Sequence, residues 1–265
     1  MSIMIILTVI IVVILYIHIV FQHKTSNDME VFEMCLPNKA VLEDVCNLKQ
    51  PVLFEHDDSM ILSCSPNLLP CAFNVRLTNS KKTTLKKANV LFEKGGIASM
   101  KNTEYLNETR AIRHFKSIDA TLRPALVATT IHDILFGSVD YTTQLQYHTS
   151  SRNYFVVTRG SITVKLTPPK NSTFIHETKR YATNEYVSTM DPWTSKKTKF
   201  INVKAKVGQI LYIPAYWWYS IKLEKDACVC SLQYKTYLNI LATGQDVLLG
   251  LYQSYNKPKK LNKIV

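Results

Sequence analysis

The sequence predicts a mainly β domain, a barrel or sandwich with flanking helices, and one membrane-spanning helix before it. Three observations support this fold class: an apolar stretch at residues 3–21, a series of short β-type runs from about residue 128 onward, and turn residues between those runs. Short strands at such spacing are typical of barrels and sandwiches. The chain after the apolar stretch is long enough to bury a core of its own.

Residues 3–21 include fifteen Ile, Leu, Val or Phe side chains, and their one ionisable imidazole, His18, lies near the end of the stretch. As a helix this stretch spans roughly 28 Å, which matches the hydrocarbon core of a bilayer. A buried core helix would carry a polar face, and a cleaved signal peptide would show a basic start and a pair of small residues. Neither pattern is present, so we expect a single-pass transmembrane anchor at residues 1–22 and a membrane localisation.

The orientation of this anchor stays open. Lys24 follows the span and no basic residue precedes it, which favours a cytosolic domain by the positive-inside rule. The sequons at Asn107 and Asn171 are glycosylation candidates and would suit a lumenal domain instead.

The six cysteines divide into two groups. An even set near the anchor, Cys35, Cys46, Cys64 and Cys71, either pairs in an oxidising compartment or consists of unrelated buried thiols. Cys228 and Cys230 are two residues apart on a predicted strand, so both side chains share one face and are expected to pack in the core.

The chain is basic, with a net charge of +12. Lysines cluster at residues 81–87 and in a tail at 257–263. Beside a membrane anchor, such clusters attract anionic lipid with about 1 kcal/mol per charge; a plain solvated surface is the alternative interpretation. A nucleic-acid partner is not expected, because no aromatic-interleaved binding motif accompanies the lysines.

Composition divides the chain into four parts, of which the anchor at residues 1–22 is the first. Residues 23–48 are polar and suggest a stalk or linker, and residues 49–240 form the β domain, with one or two helices expected around 104–115. Arg159-Gly160 between two β-type runs predicts a tight hairpin, and residues 170–184 suggest a loop. Residues 241–265 are interpreted as a C-terminal helix and the basic tail.

Several segments resemble one known family in their order and spacing. These segments are QPVL at 50–53, TQLQYH at 143–148, RNYF at 152–155, RG at 159–160, KLTPP at 165–169, VGQILYIP at 207–214 and WW at 217–218. Together they resemble the cupin-like oxygenases of the JmjC and hydroxylase type, over roughly residues 50–240. The resemblance implies a double-stranded β-helix, the cupin or jelly-roll barrel.

This family carries an iron site of a His-x-Asp pair with a distal His, and a lysine that binds 2-oxoglutarate. The resemblance puts these four positions on Gln146, His148, Tyr219 and Ile162. Only His148 is an ordinary Fe(II) ligand, and isoleucine cannot pair with a carboxylate. The metal site is therefore expected to be degenerate, with no cofactor bound.

The mouth of the implied barrel is the candidate ligand pocket, with Asn153, Tyr154, Trp217 and Trp218 around the former metal positions. Side chains alternate along a strand, so we expect Trp217 and Tyr219 on one face and Trp218 on the other. One indole would then fill the core and the other would face the mouth or the surface. His132-Asp133 precedes a predicted strand and either lies near the mouth or has a structural role.

We therefore predict a membrane-anchored, non-catalytic binding or scaffold protein with a protein or peptide partner. The first alternative is an active protein hydroxylase or demethylase with an unusual metal site, which would need Fe(II) and 2-oxoglutarate. The second alternative is a structural protein of a membrane or envelope.

Overall fold

The computed structural model describes residues 2–66 and 68–256. The α-helices are α1 (Ser2–His23), α2 (Lys39–Asn47), α3 (Ser59–Leu62), α4 (Leu85–Glu93), α5 (Thr103–Glu108), α6 (Lys116–Leu122), α7 (Tyr237–Ala242) and α8 (Gly244–Tyr255). Short 3-10 helices cover Ala111–Phe115, Pro169–Phe174 and Tyr181–Thr183.

The strands up to the first long hairpin are β1 (Phe32–Met34), β2 (Val52–Glu55), β3 (Asn74–Arg76), β4 (Lys82–Thr84), β5 (Ala98–Ser99), β6 (Val127–Gly137), β7 (Gln146–Tyr147), β8 (Arg152–Arg159) and β9 (Ser161–Thr167). The later strands are β10 (Glu177–Arg180), β11 (Glu185–Ser188), β12 (Ile201–Lys206), β13 (Gln209–Ile213), β14 (Trp218–Leu223) and β15 (Cys228–Thr236).

Two large sheets make the fold mainly β, as predicted. The first has the strand order β1-β2-β13-β8-β15-β6-β5, and the second has the order β10-β11-β7-β14-β9-β12. A separate two-stranded sheet pairs β3 with β4. Strands from distant parts of the chain alternate within each sheet. The candidate site positions around residues 146 and 219 are therefore brought together by strand pairing.

Buried side chains form three clusters. One joins both sheets and includes Phe155 of β8 and Ile221 of β14. A second joins the other face of the first sheet to the flanking helices, for example Tyr154 of β8 to Leu42 of α2. The third, around Trp218, includes residues of the 170–190 segment. Both faces of the first sheet and part of the second are therefore covered.

The predicted hairpin between β8 and β9 is present, and its glycine is required. Gly160 has a φ of +65°, which a side chain disfavours. A β-carbon there would also lie 2.6 Å from the carbonyl oxygen of Lys225. This turn directs β9 into the second sheet while β8 stays in the first.

Residues 23–48 do not form a free stalk. β1 pairs in parallel with β2, with Phe32 opposite Val52. Leu42 and Cys46 of α2 are buried in the cluster on the outer face of the first sheet. Because the segment is polar in overall composition, its composition does not indicate that the buried side chains of Leu42 and Cys46 pack it against the domain.

The segment expected as a loop, residues 170–184, also contains regular structure. It carries β10, which pairs with β11 at the edge of the second sheet, and two 3-10 helices. Where one C-terminal helix is expected within residues 241–265, the structure has α8, and a second helix, α7, precedes it and meets it at Thr243. The helical expectation around 104–115 is met by α5 and a 3-10 helix.

α1 is the one helix in the described residues that is long and apolar enough to cross a membrane, with a mean hydropathy of 3.2 over Ile3–His23. A signal sequence would meet the same criteria. The last turn of α1 contacts the domain: His23 Nδ1 lies 3.1 Å from the Tyr216 hydroxyl, and His23 Nε2 lies 3.1 Å from the Ala242 carbonyl oxygen.

All six cysteines are free thiols. Cys228 and Cys230 are buried in the core, as expected. Cys46 and Cys64 are buried as well, but Cys35 and Cys71 are exposed, so the early set is neither paired nor uniformly buried.

One of the two basic clusters lies on the surface of the domain. Lys81, Lys82, Lys86 and Lys87 are exposed on and near β4 and α4. The basic tail at 257–263 lies outside the described residues.

Candidate functional site

A cavity of about 430 Å³ lies between the two sheets. The first sheet contributes Asp133 from β6 and Gln233 from β15, and the second contributes Gln146 from β7 and Tyr219 from β14. Apolar side chains such as Phe155 complete the wall. A concave site with a few polar groups among apolar walls is typical of ligand pockets.

The three sequence-predicted metal positions converge in this cavity. The Tyr219 hydroxyl lies 2.5 Å from His148 Nε2, and Gln146 Nε2 donates to the Tyr219 oxygen at 3.1 Å. Gln233 Nε2 lies 3.2 Å from the same His148 nitrogen. The strand register brings these side chains together, because Tyr219 is directly opposite Gln146 across the β14–β7 pair.

His148 is a neutral imidazole at physiological pH. Burial lowers its pKa to about 4, and the positive charges of Lys235 and Lys101 act in the same direction. Burial raises the pKa of Tyr219, so its hydroxyl keeps the proton. Gln146 already donates to the Tyr219 oxygen, and the Gln233 amide nitrogen lies beside His148 Nε2. The tautomer in which Nε2 accepts from the Tyr219 hydroxyl satisfies these groups, and the site is uncharged.

These residues do not fit the iron site of the family pattern. A facial triad needs three good ligands, and here a neutral amide and a protonated phenol stand beside one imidazole. Within residues 2–66 and 68–256, no group of three His, Cys, Asp or Glu side chains is arranged to hold a metal ion. Nε2 of His148 also already has two hydrogen-bonding partners.

Asp133 is one of two carboxylates that line the same cavity, and its oxygens are engaged in hydrogen bonds. It accepts hydrogen bonds from the backbone N–H groups of Lys101 at 2.8 Å, Asn102 at 2.6 Å and Ile134 at 2.8 Å. Its role is to hold the turn before α5 against β6. Asp133 therefore lies at the cavity with a structural role, whereas His132 does not line the cavity and its ring packs against Phe115.

Ile162, the position of the family's cosubstrate lysine, is fully buried on β9 in the cluster that joins the sheets. It does not line the cavity. It stands opposite Leu223 of β14 and Ala205 of β12, in an apolar surrounding that a carboxylate could not enter without loss of its hydration.

Asn153 and Tyr154, expected at the pocket, do not line the cavity. Asn153 is buried, and its amide donates to the carbonyl oxygens of Ser150 at 3.2 Å and Ile213 at 3.1 Å. Tyr154 points to the opposite face of the first sheet, where its ring lies near those of Phe54 and Tyr212. Both residues support the sheet.

Trp217 and Trp218 do not line the cavity either, and both are buried, so neither faces the mouth or the surface. The alternation is as predicted: Trp217 shares the cluster of Tyr219, and Trp218 lies in the cluster on the other face. The ring of Trp218 packs edge-on against Tyr147 at 4.8 Å between centroids. The 170–190 segment covers that face, which is why the second indole is not exposed.

Sequence reasoning missed most of the lining, including two polar residues of β15, Ser231 and Gln233. They alternate with buried apolar side chains on β15, so polar groups recur at every second position of an otherwise apolar strand. That pattern was the available signal for an inward-facing polar pair.

An ion pair lies at the edge of the cavity. Lys101, before α5, pairs with Glu185 of β11, and Arg180 contacts the same carboxylate at 3.2 Å. Lys101 and Glu185 both line the cavity. The pair connects the segment beside the first sheet with the edge of the second sheet.

The two glycosylation candidates lie in different surroundings. Asn107 is exposed on α5. Asn171 is half-buried, and its amide donates to Thr167 Oγ1 at 3.2 Å. Of the two, Asn107 offers the freer side chain.

The chain matches the model of a known protein family. The family model described as cupin-like domain matches residues 69–235, which is more than half of the chain. The matched range includes the cavity positions Gln146, His148 and Tyr219. No curated protein matches the chain.

Proposed function

The chain belongs to the family of cupin-like domains, and we propose that it is a non-catalytic, membrane-anchored member that binds a polar ligand or a side chain of a protein partner in its cavity. The observation that carries the proposal is the hydrogen bond from Tyr219 to His148. It joins two positions where the family pattern has iron ligands, and it uses the imidazole nitrogen that a metal would need.

We further propose that the two sheets form the double-stranded β-helix of the cupin fold. Two features support this: the sheets share a buried cluster and a cavity, and the chain passes between them at Gly160 and again between β13 and β14.

The chemistry of the wall favours an uncharged ligand group. Gln146 and Gln233 supply amides, Ser231 supplies a hydroxyl, and His148 is neutral because burial lowers its pKa. A ligand amide or hydroxyl could exchange hydrogen bonds with these groups at little desolvation cost. A carboxylate would lose part of its hydration, and the lining cation Lys101 is already paired with Glu185.

The proposed anchor is α1. Its apolar side chains are exposed along the helix, and an exposed apolar surface of this length is stable in a bilayer rather than in water. Retention of α1 in the mature protein is part of this proposal, since a cleaved signal sequence would meet the same criteria of length and hydropathy. Carbonate extraction of membranes, followed by intact mass of the extracted chain, tests retention.

The test of the non-catalytic proposal is metal and cosubstrate binding by the purified full chain. After anaerobic incubation with Fe(II) and removal of free metal, we expect well under one iron per chain. In a titration, we expect 2-oxoglutarate to bind no more tightly than glutarate, because Ile162 cannot pair with a carboxylate.

The matched control is His148→Ala. If the wild-type chain binds one iron and the His148→Ala variant does not, the non-catalytic proposal is overturned in favour of an oxygenase. Micromolar binding specific to 2-oxoglutarate would overturn it as well.

A further inference from the structure

A second cavity, of about 230 Å³, lies where the end of α1 meets the domain. Phe21 and Gln22 of α1, Lys49 after α2, and Arg152 and Tyr212 of the first sheet line it. One water occupies about 30 Å³ in the liquid, so the cavity has room for a group of several heavy atoms. It is separate from the cavity around His148 and shares none of its lining residues.

Arg152 is a buried guanidinium that meets only neutral acceptors. Its terminal nitrogens donate to Asn47 Oδ1 at 2.5 Å, to the carbonyl oxygens of Cys46 and Ser151 at 3.3 and 3.4 Å, and to the Tyr212 hydroxyl at 3.4 Å. Among the described residues, no carboxylate lies within ion-pair distance of it. A buried cation without a counterion is costly, which indicates a place for an anion.

Lys49 brings a second positive charge to the same cavity. Its ammonium donates to the Phe21 carbonyl oxygen and lies 4.0 Å from the centre of the Phe21 ring. Burial and the charge of Arg152 lower the pKa of Lys49 to about 8. Glu43 also lines the cavity, but it forms no ion pair with either cation in the part of the chain that the structure describes.

We propose that this cavity is a binding site for a phosphate group, held by Arg152 and Lys49. A guanidinium fork and an ammonium are the side chains that bind phosphate oxygens with charge-assisted hydrogen bonds. The group comes either from a membrane phospholipid headgroup or from a free phosphate. The lipid source rests on the proposed anchor, because α1 then brings the cavity to the membrane surface.

The surroundings of the cavity favour the lipid source. Leu126, which lines it, is 71% exposed, and Leu48, next to Lys49 in the chain, is 64% exposed. Tyr237, whose backbone N–H donates to the Leu126 carbonyl oxygen, is 66% exposed. Exposed apolar side chains around buried cations match a phospholipid, whose acyl chains lie beside its phosphate.

The test uses the full chain in a neutral maltoside detergent, with thermal unfolding followed against ligand concentration. The probes are inorganic phosphate and dihexanoyl phosphatidic acid, and sodium chloride at equal ionic strength is the reference. Saturable stabilisation by either phosphate probe, beyond that of the salt, is expected. Lys49→Ala should raise the dissociation constant about tenfold or more, since it removes a charge-assisted hydrogen bond.

Lys24→Ala is the matched control, because Lys24 is exposed at the end of α1, carries the same charge and does not line the cavity. It should leave the dissociation constant unchanged. Arg152→Lys is a second site variant, which keeps the charge but loses the fork, and it should also weaken binding. No saturable shift with either probe, or an equal loss in Lys24→Ala and Lys49→Ala, overturns the site.

The two sources are separated by the ratio of the affinities. Phosphatidic acid that binds at least tenfold more tightly than inorganic phosphate identifies a lipid headgroup, and equal affinities identify a free phosphate; either result supports the shared site. The intact mass of the chain in the same preparation shows whether α1 is retained. It therefore tests the proposed anchor separately from the phosphate site. A retained α1 without phosphate binding refutes the site alone, and a cleaved α1 refutes the anchor.

Discussion

The Tyr219 hydroxyl donates to Nε2 of His148 across 2.5 Å, between a strand of the second sheet and the residue that follows β7. A phenol in this position satisfies the imidazole without a metal ion. The cavity around the pair is open and has polar groups on its wall, which is what the proposed ligand binding requires.

Rebuilding the family's ligands should restore iron binding. In the triple variant Gln146→His, His148→Asp and Tyr219→His, three metal ligands occupy positions whose side chains already contact one another. We expect about one Fe(II) per chain after anaerobic reconstitution, measured by metal analysis. The double variant that retains Tyr219 is the control and should hold less. A folded triple variant without iron would show that these positions do not form a ligand set.

Acidification should destabilise the domain through His148. Burial lowers its pKa from the usual 6.5 to about 4, so the unfolded chain binds more protons between these values. The contribution of His148 to the free energy of unfolding is therefore complete above about pH 6.5. It falls as the pH drops toward 4, by about 3 kcal/mol for the whole shift. Denaturant unfolding at several pH values measures it. His148→Gln should flatten this dependence, and an unchanged pH profile in the variant would assign the effect to other groups.

Truncation of either indole should cost much stability. Trp217 and Trp218 are both buried, in different clusters, so each substitution by Ala should lower the free energy of unfolding by about 3–5 kcal/mol. Tyr255→Ala is the control, because that ring is 90% exposed, and a change within about 0.5 kcal/mol is expected. A small loss for Trp218→Ala would show that the 170–190 segment does not cover it.

The six thiols should divide into two classes by their reactivity toward a maleimide. Cys35 and Cys71 are exposed, whereas the other four cysteines are buried, and burial raises the pKa of the Cys46 and Cys230 thiols. Alkylation of the native chain with a maleimide, without reductant, should add two groups, and alkylation in denaturant should add six. Intact mass counts them. Fewer than six in denaturant would reveal a disulfide, and with it an oxidising compartment.

Local signals in the sequence predict much of the fold. Arg159-Gly160 marks the β8–β9 turn because the backbone there needs a positive φ, a requirement that acts within a few residues. The opposite faces of Trp217 and Trp218 follow from the two-residue period of a strand. Such features need no knowledge of distant partners.

Features that depend on distant partners could not be predicted. The 23–48 segment is polar in composition, and its attachment rests on the pairing of β1 with β2 and on two buried side chains of α2. Trp218 is buried because residues far along the chain cover it. Gln233 joins the site across 85 residues from His148, and the sequence offers only the polar alternation of β15 as a sign.

The short connection between α1 and β1 limits how far an anchored domain can travel. Residues 24–31 join His23 to Phe32, and a fully extended chain of that length reaches about 30 Å. Even with the contacts of His23 broken, the domain would search only a thin layer above the bilayer. Confinement to such a layer raises the local concentration of membrane-bound partners over freely diffusing ones. In the proposed membrane-anchored protein, this connection restricts the partners by location before the cavity restricts them by chemistry.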